Sequence, residues 1–281
     1  MGSGISVVFA GGGARTFWEL GLFEAVRGRL PPVDEWAGTS AGSAMAICAA
    51  SGQAEETVNL FCDLTSKNPR NVYPEWIFRG QRPFPHNDMY SMALRTLLTG
   101  GAWDRLKDAG PVRFLLAYIR KGNPMVSTWL RAAWNYERRK HQRVHGPDEP
   151  FPGLASRVVT AQEAGSLEDV VTWVLSASST PPLTDIHRYD GQPYVDGGLV
   201  DNVPVRALSP VAQEQKVLVL LSRPTRPELL PKAPNRLYLA PSAEIPIRKW
   251  DYTSPVKIRE TVALGVSDAK RYEKEILKFV E

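Results

Sequence analysis

The 281-residue sequence predicts an α/β fold in which a mostly parallel sheet is covered by helices. Three observations support this prediction. The first 50 residues alternate short apolar segments with helical segments, the same alternation returns between residues 157 and 221, and an amphipathic helix follows. Neither an internal repeat nor a glycine- and serine-rich linker divides the chain, so we expect one domain over residues 5–281.

The first elements are a strand, a glycine loop, a helix and a second strand with its helix. Residues 6–10 form an apolar run that ends at three glycines, as a buried strand does. Apolar residues then recur at helical spacing from Trp18 to Leu30, where two prolines end the helix. Residues 33–38 predict a second strand, and residues 41–50 predict a helix of small residues that packs closely on a sheet.

Residues 66–150 differ in composition from the rest and predict a helical insertion or cap. This segment holds four of the eight tryptophans, and residues 120–143 carry seven lysines and arginines against a single acidic residue, Glu137. A solvated helical face is the simplest interpretation of such a run of charge. The alternative is a membrane-facing flap, because aromatic side chains favour the bilayer interface and cations meet lipid phosphates there.

Regular alternation returns after this insertion. Residues 157–161 and 216–221 predict strands, and residues 236–239 predict an edge strand. A helix begins at Ser166, because the two acidic residues that follow suit the positive end of a helix dipole. The last helix, over about residues 260–280, carries one apolar stripe. Its members are Val266, Ala269, Tyr272, Ile276 and Val280.

Composition excludes several classes of protein. Apolar residues make up 43% and charged residues 23%, which excludes a disordered chain. The longest aliphatic run, residues 217–221, is far shorter than the roughly 20 residues of a membrane helix. Two cysteines without metal-ligand spacing, and no secretory signal before Arg15, favour a cytoplasmic protein with reduced thiols. The net charge of +4 suits peripheral contact with an anionic membrane and is too small to indicate nucleic acid.

The clearest chemical motif is Gly38-Thr39-Ser40-Ala41-Gly42, a G-x-S-x-G sequence between an apolar strand and a helix of small residues. A serine on such a sharp turn needs small neighbours on both sides. The turn also places its Oγ at a helix N-terminus, where an oxyanion is stabilised. The pattern therefore predicts Ser40 as a nucleophile. A simple serine and glycine turn that caps a helix is the alternative.

A second motif, Gly11-Gly12-Gly13-Ala14-Arg15, also lies between a strand and a helix. Successive glycines let backbone N–H groups converge on one anion, either a bound phosphate or a transient oxyanion. A dinucleotide-binding loop is disfavoured, because Thr16 replaces its final glycine and no acidic strand end follows about 20 residues later. Because the sequence also predicts a nucleophile at the Ser40 turn, the loop becomes a candidate oxyanion hole.

The third motif is Asp196-Gly197-Gly198, at the end of a predicted strand. Taken alone, such an aspartate is more often a turn residue than a catalyst. The four histidines all precede it, whereas the triad of an α/β-hydrolase places its histidine after the acid. They are His86, His141, His145 and His187. None lies at a predicted strand end, which leaves Asp196 as the best remaining base for a serine nucleophile. A triad in another chain order stays open as the alternative.

In this order, the three motifs resemble those of the patatin-like phospholipase family. They are the glycine loop with Arg15, the G-x-S-x-G sequence with Gly38 and Gly42, and Asp196 with Gly197 and Gly198. The resemblance implies a three-layer α/β/α sandwich and a Ser40–Asp196 dyad that needs neither metal nor cofactor. It also implies an oxyanion hole formed by the backbone of Gly11, Gly12 and Gly13. Thr16 departs from the family pattern, which usually has glycine after the basic residue.

We therefore expect a serine hydrolase of the phospholipase A or esterase type, which cleaves lipid acyl esters through an acyl-enzyme. Its partners would be the lipid substrate and the surface of an anionic membrane. Two alternatives stay open. A thioesterase or transacylase acting on other acyl esters could use the same dyad. A catalytically weak lipid-binding or regulatory protein would instead use the basic, tryptophan-rich insertion.

Overall fold

The computed structural model describes residues 4–189 and 191–281. The strands are β1 (Ile5–Phe9), β2 (Val33–Gly38), β3 (Val112–Ile119), β4 (Leu154–Thr160), β5 (Arg188–Tyr189), β6 (Gln192–Val195), β7 (Val217–Leu220) and β8 (Arg236–Leu239). The helices are α1 (Phe17–Val26), α2 (Ala41–Ala50), α3 (Ala54–Ser66), α4 (His86–Leu97), α5 (Ala102–Asp108), α6 (Met125–Arg139), α7 (Leu167–Ala177), α8 (Pro210–Glu214) and α9 (Pro255–Val280).

These strands form one mixed sheet. β1 lies near its centre and pairs in parallel with β2 and β7, which in turn pair in parallel with β3 and β8. β4 and β6 pair with β3 in the antiparallel sense, and β5 forms a hairpin with β6. The predicted α/β class is confirmed, and β8 lies at the sheet edge as predicted.

Both faces of the central strands β1 and β7 are buried. In β1, Ile5, Val7 and Phe9 face one cluster of apolar side chains, whereas Val8, together with Ala10 just after the strand, faces another. The first cluster is built with α1, α2, α4, α7 and α9, and the second includes α8 and the segment before it. This alternation explains why β1 and β7 are almost wholly apolar, since a strand covered on both faces has no solvent side.

The segment 66–150 is not the helical insertion that its composition predicts. It contains α4, α5 and α6, but also β3, which pairs with β2, β4 and β6 inside the sheet. The sequence Val112–Ile119 is apolar apart from Arg113, and a short apolar run has no periodicity that separates strand from helix. Part of this segment therefore belongs to the central sheet.

Helix boundaries follow local chemistry. The helix expected as far as Leu30 leaves α-geometry after Val26 and ends in a tighter 3₁₀ turn, Arg27–Arg29. At α7, the Ser166 hydroxyl accepts the Asp169 N–H at 3.2 Å while the Asp169 carboxylate accepts the Ser166 N–H at 2.8 Å, a reciprocal capping box. Among the described residues, no helix has the length and apolar character needed to cross a bilayer.

Candidate active site

Ser40 occupies a strained turn between β2 and α2. Its backbone has φ +53° and ψ −135°, and it is the one non-glycine residue with positive φ in the described part of the chain. Such a conformation costs about 1–3 kcal/mol and persists only where the surroundings impose it. Here the surroundings are backbone: a Cβ on Gly38 would lie 2.5 Å from the Gly42 carbonyl oxygen, and one on Gly42 would lie 2.4 Å from the Phe9 oxygen. The motif glycines are therefore required by packing.

Asp196 follows β6 and is fixed by backbone on both sides. Its N–H donates to the Ser179 carbonyl at 2.7 Å, and its Oδ1 accepts the Gly198 N–H at 2.8 Å. Gly197 passes so close to β3 that a Cβ there would lie 2.0 Å from the Leu115 carbonyl oxygen. These contacts leave Oδ2 directed to the site, where it accepts the Ser40 hydroxyl at 2.9 Å.

β3 brings the two side chains together. β4 pairs with β3 over nearly its whole length, so β2 and β6 share the other edge. β2 pairs in parallel with residues 112–114 of β3, and β6 pairs in the antiparallel sense with residues 117 and 118. The two strands therefore approach each other along this edge from opposite directions. Their ends therefore meet near Leu115, whose carbonyl also accepts the Thr39 hydroxyl at 3.0 Å. In consequence Ser40 and Asp196 become neighbours, and both are more than nine-tenths buried.

The glycine loop lies beside Ser40, but its three N–H groups are not equivalent. The Gly11 N–H donates to the Asn202 carbonyl at 2.9 Å, while the Gly11 carbonyl accepts the Asn202 side-chain amide at 2.8 Å. Ser222 adds a third bond, from its hydroxyl to the Gly11 carbonyl at 2.6 Å. In the described residues, the N–H groups of Gly12 and Gly13 make no hydrogen bond. The free donors of the loop are thus Gly12 and Gly13, whereas the sequence analysis expected all three glycines to contribute.

Arg15 and Thr16 support this loop from the turn that follows it. The Arg15 Nε donates to the Gly12 carbonyl at 3.3 Å, and the buried Thr16 hydroxyl donates to the Gly13 carbonyl at 2.8 Å. Thr16 therefore fits the loop despite its departure from the family pattern. Burial lowers the pKa of Arg15, and the nearby Arg223 lowers it further.

A cleft of about 210 Å³ has Asp196, the hydrogen-bond partner of Ser40, in its wall. Its other walls are largely apolar or aromatic: Trp129, Tyr136, Leu183, Leu199 and Trp250. A chamber of about 390 Å³ adjoins it and shares Tyr136, Glu137 and Lys249 with the cleft. Its cations outnumber its two carboxylates, which belong to Glu137 and Glu244. The cations that line this chamber are Arg15, Lys140, Arg223, Arg248 and Lys249. The site can therefore accept an apolar chain with an anionic group beside it.

His86 and His145 are hydrogen-bonded to residues other than Ser40 and Asp196. The His86 Nδ1 lies 2.6 Å from the Tyr252 hydroxyl, and the ring of His145 bonds to the Val203 carbonyl and to Tyr238. In the described residues, neither Ser40 nor Asp196 has a hydrogen bond to a histidine ring.

No group of three potential ligands among His, Cys, Asp and Glu is placed to hold a metal ion within the described residues. Cys48 and Cys62 are buried free thiols, and burial raises the pKa of Cys48 to about 11.

Sequence reasoning missed the residues that hold the loop and the turn in place. Thr39, Asn202 and Ser222 act through contacts with residues 76 to 211 positions away. Asn202 carries a partial signal, because it follows the Asp196 motif and precedes Pro204. Nothing local marks Ser222, which simply follows β7.

Comparison with known proteins gives the following matches. A family model described as patatin-like phospholipase matches residues 7–209. The structure is similar to VipD from Legionella pneumophila, at 12% identity and a TM-score of 0.40, over 78% of this chain and 50% of that chain. It is also similar to human GIVD cytosolic phospholipase A2 in complex with methyl gamma-linolenyl fluorophosphonate, at 13% identity and a TM-score of 0.39, over 99% of this chain and 59% of that chain. The chain thus spans only half to three fifths of the length of those structures. The comparison with curated proteins found no match.

Proposed function

This chain belongs to the patatin-like phospholipase family, and from that premise we propose that it hydrolyses lipid acyl esters with Ser40 as nucleophile and Asp196 as general base. One observation carries the proposal: the Ser40 hydroxyl donates to Asp196 Oδ2 at 2.9 Å. A general base must lie within hydrogen-bond reach of the proton that it removes. Asp196 meets this condition without a histidine between the two groups.

In the first half-reaction, Ser40 Oγ attacks the carbonyl carbon of the ester while its proton passes to Asp196 Oδ2. The carbonyl oxygen becomes an oxyanion, which the N–H groups of Gly12 and Gly13 are available to stabilise. Collapse of this intermediate breaks the ester bond, and the leaving alcohol takes the proton from Asp196. The acyl group is then esterified to Ser40.

The second half-reaction reverses these roles with water. Asp196 accepts a proton from a water molecule as its oxygen attacks the acyl carbonyl. Collapse then breaks the bond to Ser40 Oγ, which recovers a proton through Asp196, and the carboxylic acid leaves. The Gly198 N–H donates a hydrogen bond to Asp196 Oδ1 at 2.8 Å, and this bond keeps the carboxylate oriented through both steps.

The walls of the site favour a phospholipid over a neutral ester. The aromatic and apolar cleft suits an acyl chain, and the adjoining cations suit a phosphate group. Such substrates reside in bilayers, so we also propose peripheral contact with an anionic membrane. A panel of phospholipid vesicles, acyl-CoA and p-nitrophenyl esters tests this preference. Faster turnover of acyl-CoA than of vesicle lipid would favour the thioesterase alternative.

The experiment that tests the dyad is intact-protein mass spectrometry after treatment with a fluorophosphonate, combined with ester turnover. We expect a single adduct on the parent protein and none on Ser40→Ala, whose turnover should fall by about 10³-fold or more. Asp196→Asn cannot accept the proton, so its turnover should fall by a similar factor. Ser43→Ala is the matched control, because Ser43 is buried nearby in α2 and its hydroxyl has no partner among the described residues. Turnover of Ser40→Ala within tenfold of the parent would remove Ser40 from the mechanism.

A further inference from the structure

Helix α6 forms one side of the cleft. Trp129, Ala133, Tyr136 and Glu137 line the cleft from this helix. Thr128 and Ala132 are buried and hold it against the rest of the protein. Those six positions occupy adjoining sectors of the helix at about 100° per residue. The remaining sectors face away from the core.

One of these outer sectors is apolar. Val126, Leu130 and Trp134 are 58%, 52% and 63% exposed, and they follow one another at intervals of four residues. That interval places them along one stripe of the helix, each about 40° from the last. Val126 lies only about 20° from Ala133, which lines the cleft. The apolar stripe therefore borders the mouth of the cleft. Single exposed apolar residues are ordinary, but a stripe of three large ones on one helix face marks an interaction surface.

Cations flank the stripe on its other side. Arg138 lies over the Trp134 ring, with the guanidinium carbon 4.5 Å from the ring centroid. Arg131 donates to the Ser127 carbonyl, and neither arginine is paired with a carboxylate in the described part of the chain. The one acidic residue of α6, Glu137, is paired with Lys140. Around the helix, the side that lines the cleft is followed by the apolar stripe. The stripe is followed by Arg131 and Arg138, which have no carboxylate partner among the described residues.

We propose that this face of α6 is a membrane-docking surface, which seats the mouth of the cleft on an anionic phospholipid bilayer. Apolar side chains of an interfacial helix enter the boundary between headgroups and acyl chains, and tryptophan favours that depth. Arginines beside them reach lipid phosphates. The positive charge identifies the occupant, because an anionic bilayer complements both the stripe and its cationic border. The identity of the lipid as substrate rests on the proposed function, but docking itself requires no turnover.

The test measures binding without catalysis. Ser40→Ala protein is sedimented with vesicles of phosphatidylcholine alone, or of phosphatidylcholine and phosphatidylglycerol in equal parts. We expect binding to the mixed vesicles, and a loss of about tenfold or more in affinity when L130Q and W134Q are added. Trp134→Phe should keep the affinity within about threefold, since it retains an aromatic side chain. The matched control is V211Q with V256Q, which alters side chains that are 71% and 66% exposed elsewhere.

A second set of variants tests the role of charge: R131Q with R138Q, combined with Ser40→Ala in the same sedimentation assay. This pair should remove most of the preference for anionic vesicles and flatten the loss of binding with added salt. Its control is K270Q with K274Q, two exposed lysines of α9. Thermal unfolding of each variant verifies that it is folded.

Three results would overturn the proposal. They are unchanged vesicle binding in the folded L130Q and W134Q variant, equal binding of the parent to neutral and anionic vesicles, and a dimer of the parent that this variant converts to monomer. The last would assign the stripe to a second copy of the chain. A failure of the hydrolase proposal would be visible separately, as fluorophosphonate that does not react with Ser40 in a protein that still binds vesicles.

Discussion

We expect mild acid to destabilise this protein through one buried imidazole, that of His86. The side chain begins α4, is 3% exposed, and packs against Tyr90 and Trp250 with Nδ1 2.6 Å from the Tyr252 hydroxyl. Burial lowers its pKa from the ordinary 6.5 to about 3, and repulsion from Lys249 adds to this effect. The folded protein therefore holds His86 neutral at a pH where the unfolded chain carries the proton.

The size of the effect follows from proton uptake on unfolding. Between the folded and unfolded pKa values, the unfolded chain binds one more proton, so the free energy of unfolding falls by about 1.4 kcal/mol per pH unit as pH decreases. The stability is fully present above the ordinary pKa and is lost as pH falls toward the folded pKa. Integrated from about pH 7 to about pH 5, the loss from His86 is about 2 kcal/mol.

Urea denaturation at both pH values measures this loss in the parent, His86→Gln and Tyr252→Phe. The parent should lose about 2 kcal/mol more than His86→Gln between the two pH values. Tyr252→Phe removes the hydrogen-bond partner but keeps the imidazole, so it should be less stable throughout with the parent's pH dependence. If His86→Gln followed the parent to within about 0.5 kcal/mol, His86 would take up its proton in the folded protein and the reasoning would be wrong.

Three other changes have definite expected outcomes. Gly13→Ala should lower ester turnover by about tenfold or more, because Gly13 has φ +58° and a Cβ would lie 2.1 Å from the Lys249 carbonyl oxygen; Gly28→Ala, with open space around it, is the control. Glu19→Gln should raise the free energy of unfolding in urea at neutral pH. Burial raises the pKa of Glu19 in the folded protein well above its ordinary value, so the carboxylate that is ionised in the unfolded protein must take up a proton on folding. That gain should vanish near pH 4, and a gain independent of pH would indicate another cause. Replacing any single histidine with glutamine should leave ester turnover within about tenfold, since the proposed base is Asp196; one variant as inactive as Ser40→Ala would indicate a triad.

Local chemistry made the first 50 residues of the fold predictable. Residues 33–38 and 41–50 coincide with β2 and α2, because an apolar run, a turn of small residues and a helix of small residues each leave a mark in the sequence. The same holds for the start of α7 after Ser166, where two acidic residues occupy the first turn. Ser40 and Asp196 were found through motifs that describe the turns at two strand ends.

The rest depends on contacts between distant residues. β3 has no local mark that separates it from a buried helix, since its burial comes from β2, β4 and β6. Likewise, only the folded chain shows that Asn202 occupies the Gly11 N–H and leaves Gly12 and Gly13 free. The apolar stripe of α6 was hidden for the same reason, because exposure of Leu130 and Trp134 depends on what does not pack against them.

The meeting of β2 and β6 on one edge of β3 has a consequence for folding. Ser40 and Asp196 are 156 positions apart, and neither is aligned until both strands have taken their register on β3. A slip of β6 by one residue would turn Asp196 to the opposite face of the sheet. A nascent or partly folded chain therefore lacks the proposed dyad. Catalysis should appear only after the slow, long-range pairings are complete, which makes ester turnover a late marker of the native sheet.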